Sequence, residues 1–238
     1  MPRATARQWL DVAARVLPRH KEGMRSGVVL ASASPRRREL LAKLGVEFTI
    51  CPPAVDEQAA AAGLEPPRAV AAVAQAKARE VARDGAVVVA ADTIVVVDGR
   101  VLGKPRDSAE AVAMLRGLRS RWHTVLTGLA VARCGSMQTV VFATDVLMRA
   151  YGEEEIARYV GSGAALDKAG AYGVQDAAFA PVAQVLGCQC NVMGLPLWPV
   201  WRMLAASGVV PPRDPGEATA PCQGCPLAKG EDDRGTLA

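Results

Sequence analysis

Four apolar residues, Val28 to Ala31, run directly into Ser32-Ala33-Ser34-Pro35-Arg36-Arg37-Arg38, and this junction constrains the fold more than any other segment. The apolar run reads as a buried strand. Ser34 stands where a helix N-cap belongs, and Pro35 suits the first helical position. Leu40, Leu41 and Leu44 then mark one helical face, and Gly45 ends it. A buried strand feeding a capped helix predicts an α/β fold. The same junction stacks three arginines on the first turn of that helix. Helix N-termini already carry partial positive charge and free N–H groups, so cations there are unfavourable unless an anion is expected. Taken alone, the segment is either an exposed basic helix or a site for a phosphate-bearing ligand.

The pattern continues in alternation. A strand is predicted near Glu47 to Cys51, a helix over Pro66 to Arg83 and a continuous apolar strand over Ala86 to Ala91. Ile94 to Val97 and Arg100 to Leu102 flank Asp98-Gly99, a strong hairpin signal. Asp107 to Leu118 reads as a helix, with Asp107 and Glu110 spaced as a capping box. Strands follow near Thr124 to Arg133 and Thr139 to Met148. Glu153 to Val160 reads as a helix, followed by a glycine-rich loop. A strand near Pro181 to Val185 and a helix over Leu195 to Ala206 close the core. Crossover helices together with hairpins predict a mixed sheet.

Half of the 238 residues are hydrophobic and 4% are aromatic, so the core must be built from Ala, Val and Leu. The net charge of +4 is too small to argue for nucleic acid. No run approaches the ~18 apolar residues of a membrane span, and the basic N-terminus lacks the apolar stretch of a secretory signal. A cytoplasmic protein is expected. Residues 1–26 read as a basic extension, 27–209 as the folded domain, and 210–238, rich in Pro, Gly and charge, as a disordered tail.

The chemistry-bearing residues lie around the apolar strands. Asp92 is predicted to end the strand Ala86 to Ala91, a common position for a catalytic carboxylate and also for a turn aspartate. Asp56 and Glu57 follow a predicted strand and add carboxylates that suit Mg²⁺. Lys77 falls on the apolar stripe of its helix with Val70, Val73 and Val81, so it must snorkel or find an anion. Lys104, in Leu102-Gly103-Lys104-Pro105, is an ordinary turn lysine or faces the same cleft as Asp92. Asp167 to Gln175 is punctuated by glycines that allow close backbone approach to a ligand, and the Gln175 amide has the donor and acceptor needed to read a base edge. His20 and His123 form no metal pair, and His123 reads as structural.

The six cysteines are predicted to be reduced thiols. Cys222-Gln223-Gly224-Cys225 lies in the predicted tail as a single CxxC with no second pair. It therefore reads as incidental or weakly metal-binding. Cys188 and Cys190 read as free thiols.

In order, these segments resemble the Maf family of nucleoside triphosphate pyrophosphatases. The resemblance rests on ASASPRRRELL (31–41), VDE (55–57), Lys77-Ala78, ADTIV (91–95), LGKP (102–105), His123, DKAGAYGVQ (167–175) and NVMGLPL (191–197). It covers roughly residues 27–208. It implies an elongated, twisted mixed sheet flanked by helices, with a deep cleft between two lobes. It implies a hydrolase acting on acid anhydrides, which converts a nucleoside triphosphate to monophosphate and pyrophosphate with a divalent metal such as Mg²⁺ or Mn²⁺. On this resemblance Asp92 is the proton acceptor, and Arg37, Thr93 and Gln175 are specificity positions. Ser34, Arg36, Glu57, Lys77, Lys104 and Lys168 are other residues of the cleft, with Glu57 and Asp92 holding the metal.

Asp92-Thr93 resembles the branch acting on dTTP and UTP; a second branch, acting on 7-methyl-GTP, typically has Asp-Gln. The chain departs from the family at Ala164, where a glutamate is usual, at Asp176, where a glycine is usual, and at Cys188-Gln189-Cys190. The alternatives are 7-methyl-GTP specificity and, since the family has been linked to septum formation, a nucleotide-binding regulator without turnover. Homodimers are reported for the family.

Overall fold

The computed structural model describes residues 27–229. The predicted extension at 1–26 lies outside them. Helices and strands alternate as β1 (Val28–Ala31), α1 (Pro35–Lys43), β2 (Phe48–Ile50), α2 (Glu57–Ala61), α3 (Pro66–Val81), β3 (Val87–Val97) and β4 (Arg100–Leu102). There follow α4 (Ser108–Leu118), β5 (Trp122–Arg133), β6 (Ser136–Met148), α5 (Glu153–Gly161), β7 (Val182–Leu186), α6 (Gln189–Val192), α7 (Leu197–Ala206) and α8 (Pro215–Ala218).

The strands form one seven-stranded mixed sheet in the order β2-β1-β3-β5-β6-β7, with β4 also on β3. β2, β1 and β3 are parallel, joined by helical crossovers, and the remaining pairings are antiparallel. Their turns follow from local chemistry. Asp98-Gly99 and Cys134-Gly135 both adopt positive φ, as tight hairpin turns require.

Side-chain alternation along the strands sorts the core into two faces. Val28, Leu30, Val87, Val89 and Ala91 face α1 and α7. Val29, Ala31, Val88 and Ala90 face α3. A separate cluster lies beyond, where the far ends of β3, β5 and β6 pack against α4, α5 and the loop through Tyr172 and Phe179. These clusters make two lobes on one continuous sheet.

The opening between the lobes is written in the strand register. β1 pairs with β3 only as far as Ala90, and β4 takes over only at Val95. Residues Ala91 to Ile94 therefore pair with β5 alone. Diverging neighbours of one strand leave a crevice of the kind in which α/β sheets bind ligands. Asp92 consequently lies in mid-strand, not at a strand end as predicted. Pairing with β5 from Val88 to Val96 carries β3 straight through its polar residues.

The described part of the tail, 210–229, also differs from expectation; 230–238 lie outside the described residues. Residues 211–229 fold back on the α1–α7 face, burying Cys222, Cys225 and Leu227. Trp198 donates to the Cys222 carbonyl at 3.1 Å, and Arg202 donates to the Leu227 and Ala228 carbonyls at 2.8 and 2.7 Å. Low apolar content did not prevent order, because α7 supplies side chains that satisfy the tail's backbone.

Candidate active site

The crevice is a cleft of about 430 Å³, within the usual range for small-molecule sites. Every residue that the resemblance assigns to the cleft lines it: Ser34, Arg36, Arg37, Glu57, Lys77, Asp92, Thr93, Lys104, Lys168 and Gln175.

Alternation on β3 gives its two polar residues opposite partners. Asp92 continues the Val88–Ala90 face and meets α3. There Lys77 Nζ lies 2.8 Å from Asp92 Oδ1 and 2.6 Å from Glu57 Oε1. Lys77 and Asp92 are both buried, whereas the Glu57 side chain is 57% exposed at the cleft wall. The inward lysine of α3 has found anions and does not snorkel. Gly128, paired with Asp92, allows this contact: a Cβ there would lie 2.3 Å from the Val70 carbonyl oxygen at the start of α3. Asp56 does not enter the cleft and caps α2 through the Ala59 N–H at 3.0 Å.

Thr93 points to the other face and meets α1. The Arg37 guanidinium donates to Thr93 Oγ1 at 3.1 Å, to the Gly194 carbonyl at 2.9 Å and to Ser32 Oγ at 3.4 Å. Thr93 continues to Thr127 at 3.0 Å, and Thr127 donates to the Asn191 carbonyl at 3.0 Å. Burial lowers the pKa of Arg37, Asp92 and Glu57 oppose the shift, and Arg36 adds to it. A guanidinium remains protonated throughout. Its fork retains N–H donors beyond these three bonds.

Ser34 caps α1, as predicted, by accepting from the Arg37 N–H. Arg36 spans the cleft mouth to Asp167 Oδ2 at 2.6 Å. Lys168 binds Asp167 Oδ1 at 2.5 Å and also the Ala164 carbonyl. Thus a backbone oxygen receives the lysine at Ala164, the first of the departures noted in the sequence. Partial burial pushes the Asp167 carboxyl up, but Lys168 and Arg36 outweigh it and hold it below its ordinary value. Asp176, the second departure, builds a local turn by accepting from the Phe179 N–H at 3.2 Å. Lys104 is exposed at the cleft.

Five cations thus line the cleft against the carboxylates of Glu57, Asp92 and Asp167. This balance favours a polyanionic ligand. Among the described residues no group of three or more His, Cys, Asp or Glu side chains forms a metal cage. Sequence reasoning missed the Thr127 and Asn191 links. Their signal was the even spacing that puts Thr127 opposite Thr93, which is visible only once the β3–β5 register is known.

His123 is buried and does not line the cleft itself, but its partner Tyr172 does. Its Nε2 lies 2.7 Å from the Tyr172 hydroxyl, and burial pushes its pKa down to about 4, opposed by Asp145. Among the described residues no helix is long and apolar enough to cross a membrane.

The family model described as Maf-like protein matches residues 27–207. A dTTP/UTP pyrophosphatase of Thermomicrobium roseum is 49% identical over 208 residues, covering 86% of this chain and 95% of its own. The enzyme of the same name from Moorella thermoacetica is 49% identical over 188 residues, covering 77% of this chain and 96% of its own. That from Pelotomaculum thermopropionicum is 47% identical over 185 residues, covering 76% and 96%. The matched region contains the whole cleft, and the chain belongs to the Maf family.

Proposed function

We propose that this chain hydrolyses dTTP and UTP to the monophosphate and pyrophosphate. The observation that carries the reading is the meeting of Asp92 and Glu57 on Lys77, inside a cation-lined cleft, in a chain nearly half identical to dTTP/UTP pyrophosphatases. The oxygen of water bonds to the α-phosphorus, the bond to the bridging oxygen breaks, and pyrophosphate leaves. Asp92 accepts the water proton. Lys77 occupies Asp92 Oδ1, which fixes the carboxylate and leaves Oδ2 for the water.

Arg36, Lys104 and Lys168 surround the phosphates, helped by the N-terminus of α1. They speed the reaction only insofar as they bind the transition state better than the substrate. Arg37, Thr93 and Gln175 face the base. A pyrimidine carbonyl is a suitable acceptor for the remaining N–H donors of Arg37.

The carboxylate pair fits Mg²⁺ or Mn²⁺. Glu57 and Asp92 both meet Lys77 Nζ, Glu57 from an exposed wall, so a cation would take the carboxylate oxygens that Lys77 leaves open, with water and substrate phosphates as its other ligands. When bound, such a cation polarises phosphate oxygens and makes water a better nucleophile.

The test is a pyrophosphate-release screen over dTTP, UTP, 7-methyl-GTP and the other nucleoside triphosphates, with divalent metal present. Release from dTTP and UTP in preference to the rest is expected. Nucleotide binding without release would point instead to a regulator.

A further inference from the structure

The tail brings two cysteine pairs together. Cys188 and Cys190 flank the start of α6, and Cys222 and Cys225 lie on the returning tail. All four are free thiols and all are buried, with at most 5% of any residue exposed. Cys190 Sγ lies 3.5 Å from Cys222 Sγ. Cys188 lies within interaction range of the Cys190 and Cys225 thiols. The partner pair of Cys222-x-x-Cys225 is Cys188-x-Cys190.

We propose that Cys188, Cys190, Cys222 and Cys225 form a structural zinc site that pins the tail to the domain. Buried cysteines pack as small hydrophobes, but that role does not require four sulfurs from two distant segments to meet. Thiolates at ~2.3 Å from a tetrahedral zinc stand ~3.8 Å apart, whereas a disulfide holds its sulfurs at ~2.05 Å. The observed 3.5 Å lies close to the former spacing. As they stand, Cys190 and Cys222 touch and the four sulfurs do not enclose a common centre. Rotation about their side-chain torsions is what closure requires.

The tail itself supplies the second argument. Its helical pieces, Pro215–Ala218, Ala220–Cys222 and Pro226–Ala228, are three or four residues long. Segments so short and so poor in apolar residues rarely hold a packed position without a staple. A metal bound by four thiolates supplies that staple, because its binding free energy is folding free energy. Gly224, at φ +70°, gives the Cys222–Cys225 turn the tight reversal that such a site needs.

The site also buttresses the cleft. Between Cys190 and Gly194 run Asn191, whose carbonyl holds Thr127, and Met193, which lines the cleft. The proposal does not rest on the pyrophosphatase reading.

Full-length protein is dialysed against EDTA to strip the cleft and then analysed for zinc and for thiols. One zinc per chain is expected to survive, to be released by a mercurial thiol reagent, and to be retained in Glu57→Gln but lost in Cys190→Ser and Cys225→Ser. Should those serine variants not fold, mercurial-stripped wild-type chain is refilled with Co²⁺. Tetrahedral thiolate absorption bands are then expected, with recovery of the melting temperature. A zinc-free protein with four titratable thiols, a Cys190–Cys222 disulfide, or an iron chromophore overturns the proposal, as does cobalt without thiolate bands.

Discussion

Lys77 Nζ and Asp92 Oδ1 lie 2.8 Å apart with both side chains buried, which makes the cation of α3 a structural partner of the carboxylate in mid-β3. Glu57 completes the arrangement from an exposed wall. The proposed general base is therefore held by a charge at the sheet and open on its cleft side.

Asp92→Asn keeps the shape, still accepts a hydrogen bond from Lys77 and leaves Lys77 paired with Glu57, so its unfolding midpoint should move little. Its kcat for dTTP and UTP should fall about a hundred- to ten-thousand-fold, the usual contribution of a positioned acid or base. Pyrophosphate release at the wild-type rate would falsify the role given to Asp92.

Lys77→Met tests the pair from the other side. Removing one partner leaves a buried, uncompensated carboxylate, at a cost of about 3–5 kcal/mol. The double variant Lys77→Met/Asp92→Asn should recover most of that stability and none of the activity. Urea unfolding of the four proteins gives the coupling directly. Additive losses in the double variant would contradict the paired arrangement.

Much of the fold follows from local chemistry. Ser34-Pro35 caps α1, Asp98-Gly99 turns the hairpin, and apolar alternation on β1 and β3 sets the two faces. What escaped the sequence depends on long-range pairing. The pattern Ala91-Asp92-Thr93-Ile94 looks like a strand end, and only pairing with β5 carries β3 through it. α2 is five residues long and too short to show a period. The tail looked disordered because the groups that fix it, Trp198 and Arg202, belong to α7. At the cleft, the resemblance named the residues, but the partners Thr127 and Asn191 appear only through register.

Arg37 is held by three acceptors that match a planar fork and do not match an ammonium. Arg37→Lys should therefore raise KM for dTTP and UTP and narrow the preference over purine triphosphates, with kcat changed less. Steady-state kinetics on paired substrates separate these effects. An equal fall in kcat for every base would show that Arg37 acts on the phosphates instead.

Gly128→Ala places a Cβ 2.3 Å from the Val70 carbonyl oxygen, a backbone group that cannot step aside. Overpacking of this kind costs about 1–3 kcal/mol or more. Because α3 must shift to relieve it, Lys77 moves from Asp92 and activity should fall along with the melting temperature. Unaltered kinetics in a destabilised Gly128→Ala would mean that the position of α3 is not limiting.

His123 makes stability depend on pH in a definite window. Burial depresses its folded pKa to about 4, below the ordinary 6.5 of an unfolded chain. Between these values the unfolded state binds the proton and the folded state does not, so stability rises with pH across that range. The contribution is complete above pH 6.5, is lost as pH falls towards 4, and amounts to about 3 kcal/mol at 1.36 kcal/mol per pKa unit. His123→Phe removes the titrating group and leaves Tyr172 without its 2.7 Å partner, so the variant should be less stable at pH 7. Its disadvantage should shrink towards pH 4, because wild type loses stability that the variant never had. Denaturant midpoints for both proteins at pH 7, 6, 5 and 4 measure the difference. Parallel curves would show that His123 titrates alike in both states.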